Sequence, residues 1–143
     1  MEKNENSILR DELIRALGGI CRLEAFGVLE ELLQGESLVL QYLSAHREED
    51  VFPSVLSDAC RLSRPRITGT LKSLRQKNHI RMEPSGSDRR MVRVSITEEG
   101  LQRIAGQVEK MAEYFDRMID GVGAEDASRL AKLIDRCVAV MEE

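Results

Sequence analysis

Tryptophan is absent from this 143-residue chain, and aromatic residues make up only 3% of it. Phe26, Tyr42, Phe52, Tyr114 and Phe115 are too few and too scattered to form the stacking platforms that hold single-stranded nucleic acids. No apolar run approaches the ~20 residues of a membrane span and no secretory h-region opens the chain, so a cytoplasmic protein with no membrane partner is expected. The three cysteines, Cys21, Cys60 and Cys137, are odd in number and widely spaced. They point to reduced thiols rather than a disulfide framework or a metal site. There is no CxxC pair, HExxH or Gly-rich phosphate loop, and His46 and His79 have no nucleophile at a motif spacing. No enzyme, no metal and no cofactor is expected.

What is present is charge, unevenly placed. The net charge of −4 by itself argues mildly against a polyanionic partner. Position reverses that inference. Between Cys60 and Arg93 lie ten basic residues, eight of them arginines, against only Glu83 and Asp88, a local balance of +8. The remaining chain carries −12. A concentrated, arginine-rich segment is the electrostatic footprint of a polyanion site, since guanidinium groups suit phosphate and guanine alike.

Hydrophobic spacing supplies the element order. Asn6 or Ser7 caps a helix that continues to Leu33, with a kink or break expected at Gly18-Gly19, where each glycine costs about 1 kcal/mol. A second helix covers Glu36 to Ala45 with Leu38, Leu40, Tyr42 and Leu43 inward, followed by an exposed connection at 46–50. A short helix runs from Pro53 or Ser54 to Cys60 and buries Val55, Leu56 and Ala59. After a turn at Leu62-Ser63, Ser63 caps a helix from Arg64 to Lys77, with Pro65 in its first turn and Asn78 in the left-handed position that ends it. Ile80–Glu83 and Met91–Ile96 alternate as strands around a hairpin tip at 84–88. Thr97 then caps a long helix whose Leu101, Ile104, Val108, Met111, Phe115, Met118 and Val122 form a heptad-like seam, closed by Gly121 and Gly123. A final helix carries Leu130, Ile134, Cys137 and Met141. The expected fold is mainly α with a small β-hairpin wing, a winged helix-turn-helix flanked by long helices. Their apolar stripes exceed what one small domain can bury, so a homodimer is expected.

On a helical wheel, Ile67, Leu71 and Leu74 fall within ~40° of one another. Pro65, Gly69, Lys72 and Gln76 point away, with Arg66, Thr68, Thr70 and Ser73 on the shoulders, and this outer face holds no acid. An ordinary amphipathic surface helix would satisfy the same wheel, but does not account for two poor helix formers, Pro65 and Gly69, on the exposed side. In a helix-turn-helix, Arg64, Arg66 and Thr68 would reach base edges, and Lys72, Ser73 and Gln76 would meet phosphates. An arginine at the ribbon tip, Arg89 or Arg90, can enter the minor groove, and Asp88 can hold it by a charge-assisted hydrogen bond.

The segment Leu56 to Leu101 resembles the multiple-antibiotic-resistance regulator (MarR) family of winged helix proteins. The matching residues are Ile67-Thr68, Leu74, Asp88-Arg89-Arg90 and Ser95-Ile96-Thr97-Glu98-Glu99-Gly100-Leu101. The resemblance implies a homodimer with interlocked first and last helices, bound to a pseudo-palindromic double-stranded operator. It also implies Arg90 as the minor-groove arginine, Asp88 as its partner, and a small-molecule effector in a cleft beside the winged region. Gly69 stands where many relatives carry arginine, and Asn78-His79 replaces the usual Gly-Leu. The expected organisation is a dimerisation helix over 1–35, the winged helix-turn-helix over 36–97 and dimerisation helices over 98–143. The expected function is a regulator of transcription, a repressor released by an effector. The alternatives are a thiol-based oxidant sensor using Cys21, where Arg22 could lower the thiol pKa although a small buried residue is the commoner role, and a winged helix protein-interaction module without DNA binding.

Overall fold

The structure, a computed structural model, describes residues 4–86 and 88–143, including every side chain of these except Asp88 and Arg89. The chain begins with α1 (Glu5–Cys21) and α2 (Glu24–Leu32), then α3 (Gly35–Ala45) and α4 (Pro53–Cys60). There follow α5 (Arg64–Gln76), the strands β1 (Ile80–Ser85) and β2 (Asp88–Ile96), α6 (Glu98–Val122) and α7 (Ala124–Met141).

The core is built where α3, α4, α5, the hairpin and the first half of α6 meet. Val39, Leu40 and Leu43 of α3 face Leu56 of α4, Ile67, Leu71 and Leu74 of α5, and Ile80, Val94 and Ile104, all almost fully buried. Each such side chain is worth about 1.5–3 kcal/mol of transfer free energy relative to exposure. The expected stripe of α5 is therefore the one that packs. The α3 stripe is rotated from expectation. Leu38 and Tyr42 are only half-buried, while Val39 and Ser37 are buried, because α3 is covered on several sides by α4, α5 and α6. Ala59, expected inside, is exposed at the end of the short α4.

The expected single N-terminal helix is two helices, and the break is not at the glycines. Asn4 is the cap, its side chain accepting from the Asn6 amide at 2.6 Å, and α1 runs through Gly18-Gly19 to Cys21. The turn falls at Arg22-Leu23, where Leu23 adopts an extended conformation and starts α2. Glycine lowers helix propensity without forcing an end; the change of packing partner from solvent to α6 decides where the chain turns. Likewise Gly121 lies inside α6, and only Gly123, at φ 98°, ends it.

The strands are longer than the alternation suggested. The antiparallel register pairs Ile80 with Ile96, continues through Pro84 opposite Val92, and shifts at Ser85, which pairs with Asp88. Proline is tolerated because β1 is an edge strand and its missing donor breaks no essential ladder bond. Val94 is buried and Val92 and Ile96 half-buried, with Arg93 and Ser95 exposed, as the alternation required. The Val94 amide donates to the Val51 carbonyl at 2.8 Å, which fastens the ribbon to the segment leading into α4.

The outer helices are different. α1 and α7 contain no buried residue. Leu13, Ile14 and Leu17 in α1 are 58–63% exposed, and Leu133, Ile134 and Val138 in α7 are about half exposed. The seam of α6 divides: Ile104 enters the core, while Val108, Met118 and Val122 remain exposed.

Candidate nucleic-acid interface

Leu62-Ser63 and the end of α4 make the corner that aims α5. Arg61, the residue that ends α4 and opens that corner, sits in the left-handed region at φ 53°. The Ser57 hydroxyl donates to the Leu62 carbonyl across it. Ser63 is the cap of α5, its hydroxyl accepting from the Arg66 amide at 3.4 Å, and Pro65 occupies the first turn, as expected.

The far end of α5 is locked to the wing by the motif at 97–100. Asn78 is left-handed at φ 62°, as expected. The buried Thr97 hydroxyl donates to the Asn78 carbonyl at 2.7 Å and accepts from the Gly100 amide at 3.0 Å. The Thr97 amide donates to the His79 carbonyl, and the Asn78 side chain donates to Glu99 at 3.2 Å. A Cβ on Gly100 would lie 2.2 Å from the His79 carbonyl oxygen, so only glycine fits there. These contacts hold the recognition helix, the ribbon base and the start of α6 in one fixed arrangement.

Of the residues expected on the outer face of α5, Arg64, Pro65, Arg66, Thr68, Gly69, Lys72 and Gln76 are exposed and Ser73 is half-buried. They do not form one continuous surface. Arg66, Gly69 and Ser73 border a cleft of about 810 Å³ against the α2–α3 junction and α6. Thr68, Lys72 and Gln76 border a second cleft, about 510 Å³, against the start of α4 and β1. Arg64 and Pro65 stand at the tip between them. The Thr68 hydroxyl donates to the Arg64 carbonyl at 2.9 Å, so towards solvent its oxygen can only accept.

The clefts differ in charge. The larger one contains Glu31 and Glu36, each already engaged: Glu31 with Arg103 at 3.0 Å and Gln107 at 2.8 Å, and Glu36 with Lys77 at 2.7 Å. Burial pulls the Glu36 carboxyl upward, yet hydrogen bonds from Lys77 and Ser73 and the Lys77 charge prevail and hold it below its usual value. Gln107 also pairs with the buried Ser37 at 3.1 Å. Among the described residues, the lining of the smaller cleft holds no acid.

Two cations of the +8 segment turn out to serve the fold. Lys77 is held by Glu36, and Arg93 lies between Asp50 at 3.3 Å and Glu83 at 3.6 Å. Among the described residues, Arg64, Arg66, Lys72 and Arg75 have no ion pair. Sequence charge counting could not separate the two groups, because Glu36 and Asp50, which pair with Lys77 and Arg93, are distant in sequence. The tip residues Asp88 and Arg89 were expected to act with Arg90; their side chains lie outside the described residues, and Arg90 is exposed.

Cys21, for which a small buried residue is the commoner role, is exposed. Cys137 is exposed on α7, and Cys60 is half-buried, with burial pushing its thiol pKa up. Among the described residues no cluster of His, Cys, Asp or Glu is suited to a metal ion, and no helix is long and apolar enough to cross a membrane.

A helix pair with a tight corner, followed by an antiparallel ribbon folded back on the second helix, is a winged helix-turn-helix. Residues 29–91, from within α2 into β2, match the MarR family. The match covers under half of the chain, the winged helix-turn-helix together with the helices that lead into it. No curated protein matches it by sequence. Among solved structures, YusO from Bacillus subtilis is similar over 96% of this chain and 99% of its own, at 19% identity and a TM-score of 0.72. A variant of MepR from S. aureus bound to an oligodeoxyribonucleotide is similar over 92% of this chain and 97% of its own, at 17% identity and a TM-score of 0.64. MepR bound to ethidium bromide covers 92% of this chain and 95% of its own, at 16% identity and the same TM-score.

Proposed function

We propose that the chain is a homodimeric repressor that binds a pseudo-palindromic site in double-stranded DNA. The observation that carries this reading is the outer face of α5: exposed, free of acids, and studded with cations that have no ion pair among the described residues. Arg64, Arg66 and Thr68 at its N-terminal end are the base-reading residues, Gly69 allows close approach of a backbone, and Lys72, Ser73 and Gln76 contact phosphates. The wing, through Asp88, Arg89 and Arg90, enters the flanking minor groove. α1 together with α6 and α7 forms the dimer interface, which is supported by α1 and α7, neither of which buries a residue in the single chain. In the dimer the two α5 helices occupy successive major grooves, ~34–36 Å apart.

The larger cleft supports release by a small molecule. It lies between the α2–α3 junction, α6 and α5, and it shares Arg66 and Gly69 with the reading face. A compound seated there competes with, or tilts, the same helix that meets the operator. The occurrence of MepR structures with an oligonucleotide and with ethidium agrees with this assignment.

Selection of genomic fragments on the full-length protein, followed by titration of the selected duplex, tests the reading. Binding should fall steeply as salt rises, because phosphate contacts release counterions. Failure to bind any duplex, the chain's own promoter included, overturns it.

A further inference from the structure

The smaller cleft has no role in the expectations drawn from sequence. Its floor is Leu71 and Met82, its wall towards α4 is Pro53, and its rim is polar, with Thr68, Lys72, Arg75 and Gln76. Arg75, in the last turn of α5, was not among the expected contact residues, although the neighbouring Gln76 was. It is exposed, and among the described residues no acid pairs with it.

We infer that this cleft carries the sugar-phosphate strand that separates the major groove from the minor groove, with Arg75 and Lys72 as its phosphate clamp. The inference rests on the DNA-binding reading above. A helix in a major groove and a ribbon in the neighbouring minor groove always have one backbone strand between them. The space between α5 and β1 is therefore the space that strand must cross. Its chemistry fits: two cations on the rim meet phosphate, while Met82 and Pro53 offer apolar surface to the deoxyribose. The larger cleft suits a polyanion less well, because Glu31 and Glu36 are part of its lining. Arg75 also lies one turn beyond Leu71 and next to Gln76, so the clamp adds a cation to the C-terminal half of the contact surface on α5.

Phosphate contacts carry no sequence information, and this separates the clamp from the reading residues. The experiment measures binding of the full chain to its selected operator and to a random duplex across a salt series, with thermal unfolding in parallel. For Arg75→Gln, affinity should fall by a similar factor on both duplexes, and the slope of log K against log salt should become shallower by about 1. Arg75→Lys keeps the charge and should keep the slope. Gln76→Glu, nearly isosteric and exposed, places a carboxylate on the rim and should weaken both duplexes alike. If Arg75→Gln only lowers the melting temperature and leaves the slope unchanged, the residue serves the helix end and the inference is wrong. If its loss is confined to the operator, Arg75 reads bases, and the clamp is again wrong while DNA binding stands. Absence of duplex binding by the unsubstituted protein would remove both readings.

Discussion

At the scale of single residues, two backbone positions bracket the recognition helix. Arg61 is left-handed where an L-residue costs roughly 1–2 kcal/mol, and its exposed side chain shows no contact that repays the cost. Arg61→Gly should therefore raise stability by about 1 kcal/mol in a denaturant titration, without altering the fold. Gly100 is the opposite case. Its missing Cβ is the space occupied by the His79 carbonyl. Gly100→Ala must push the ribbon base away from α6 and should cost about 2–3 kcal/mol or more, read as a lowered melting temperature. The sequence displayed the glycine and its motif, but not the carbonyl it makes room for, because that carbonyl belongs to a residue 21 positions earlier.

At the scale of elements, the position of α5 depends on ties to its neighbours. The hydrophobic stripe was legible from spacing alone, since Ile67, Leu71 and Leu74 recur every three or four residues. The polar ties were not. Lys77–Glu36 joins α5 to α3 across 41 positions, and Arg93–Asp50 joins β2 to the loop before α4 across 43. The Glu36 carboxyl titrates below its usual value, so its contribution to stability is complete above the unfolded value near 4.5 and is lost as pH falls through the lower folded value. Glu36→Gln should accordingly lower the melting temperature at neutral pH, and the difference from the unsubstituted protein should close on acidification. The same replacement leaves Lys77 without its acid, beside a face proposed to meet DNA. A second tie holds α2 to α6, where Glu24 accepts from Tyr114 and from Lys110, and these contacts lower its carboxyl pKa.

At the scale of the whole molecule, two charge domains and two kinds of apolar surface coexist. The basic segment is folded into one head, diminished by the two cations that face acids, and the acidic remainder forms the helices that flank it. The long apolar stripes of α1 and α7 lie outside the single-chain core, and the proposed dimer would cover them with the stripes of a second copy. Sedimentation should show a dimer at micromolar concentration, and its melting temperature should rise with protein concentration. Leu13→Glu places a charge in the middle of the α1 stripe and should shift the equilibrium to monomer. DNA affinity should fall with it even though α5 is untouched, because two half-sites are no longer joined. A dimer that survives this change, or DNA binding that persists in a monomer, would count against the proposed arrangement.

The order of elements, the apolar face of α5, both caps of the site and the location of its positive charge could all be read along the chain. Each depends on interactions between residues a few positions apart, or on composition within one segment. Three things were decided only by the tertiary structure. The first is where the N-terminal helix breaks, which follows its change of packing partner rather than its glycines. The second is which cations of the basic segment are paired within the fold, since Glu36 and Asp50, which hold Lys77 and Arg93, come from remote segments. The third is the division of the outer face of α5 between two clefts of different charge, which arises from what α3, α4, α6 and β1 place on either side of it. Long-range placement is a property of the packed core, and the linear pattern of residues carries it only implicitly.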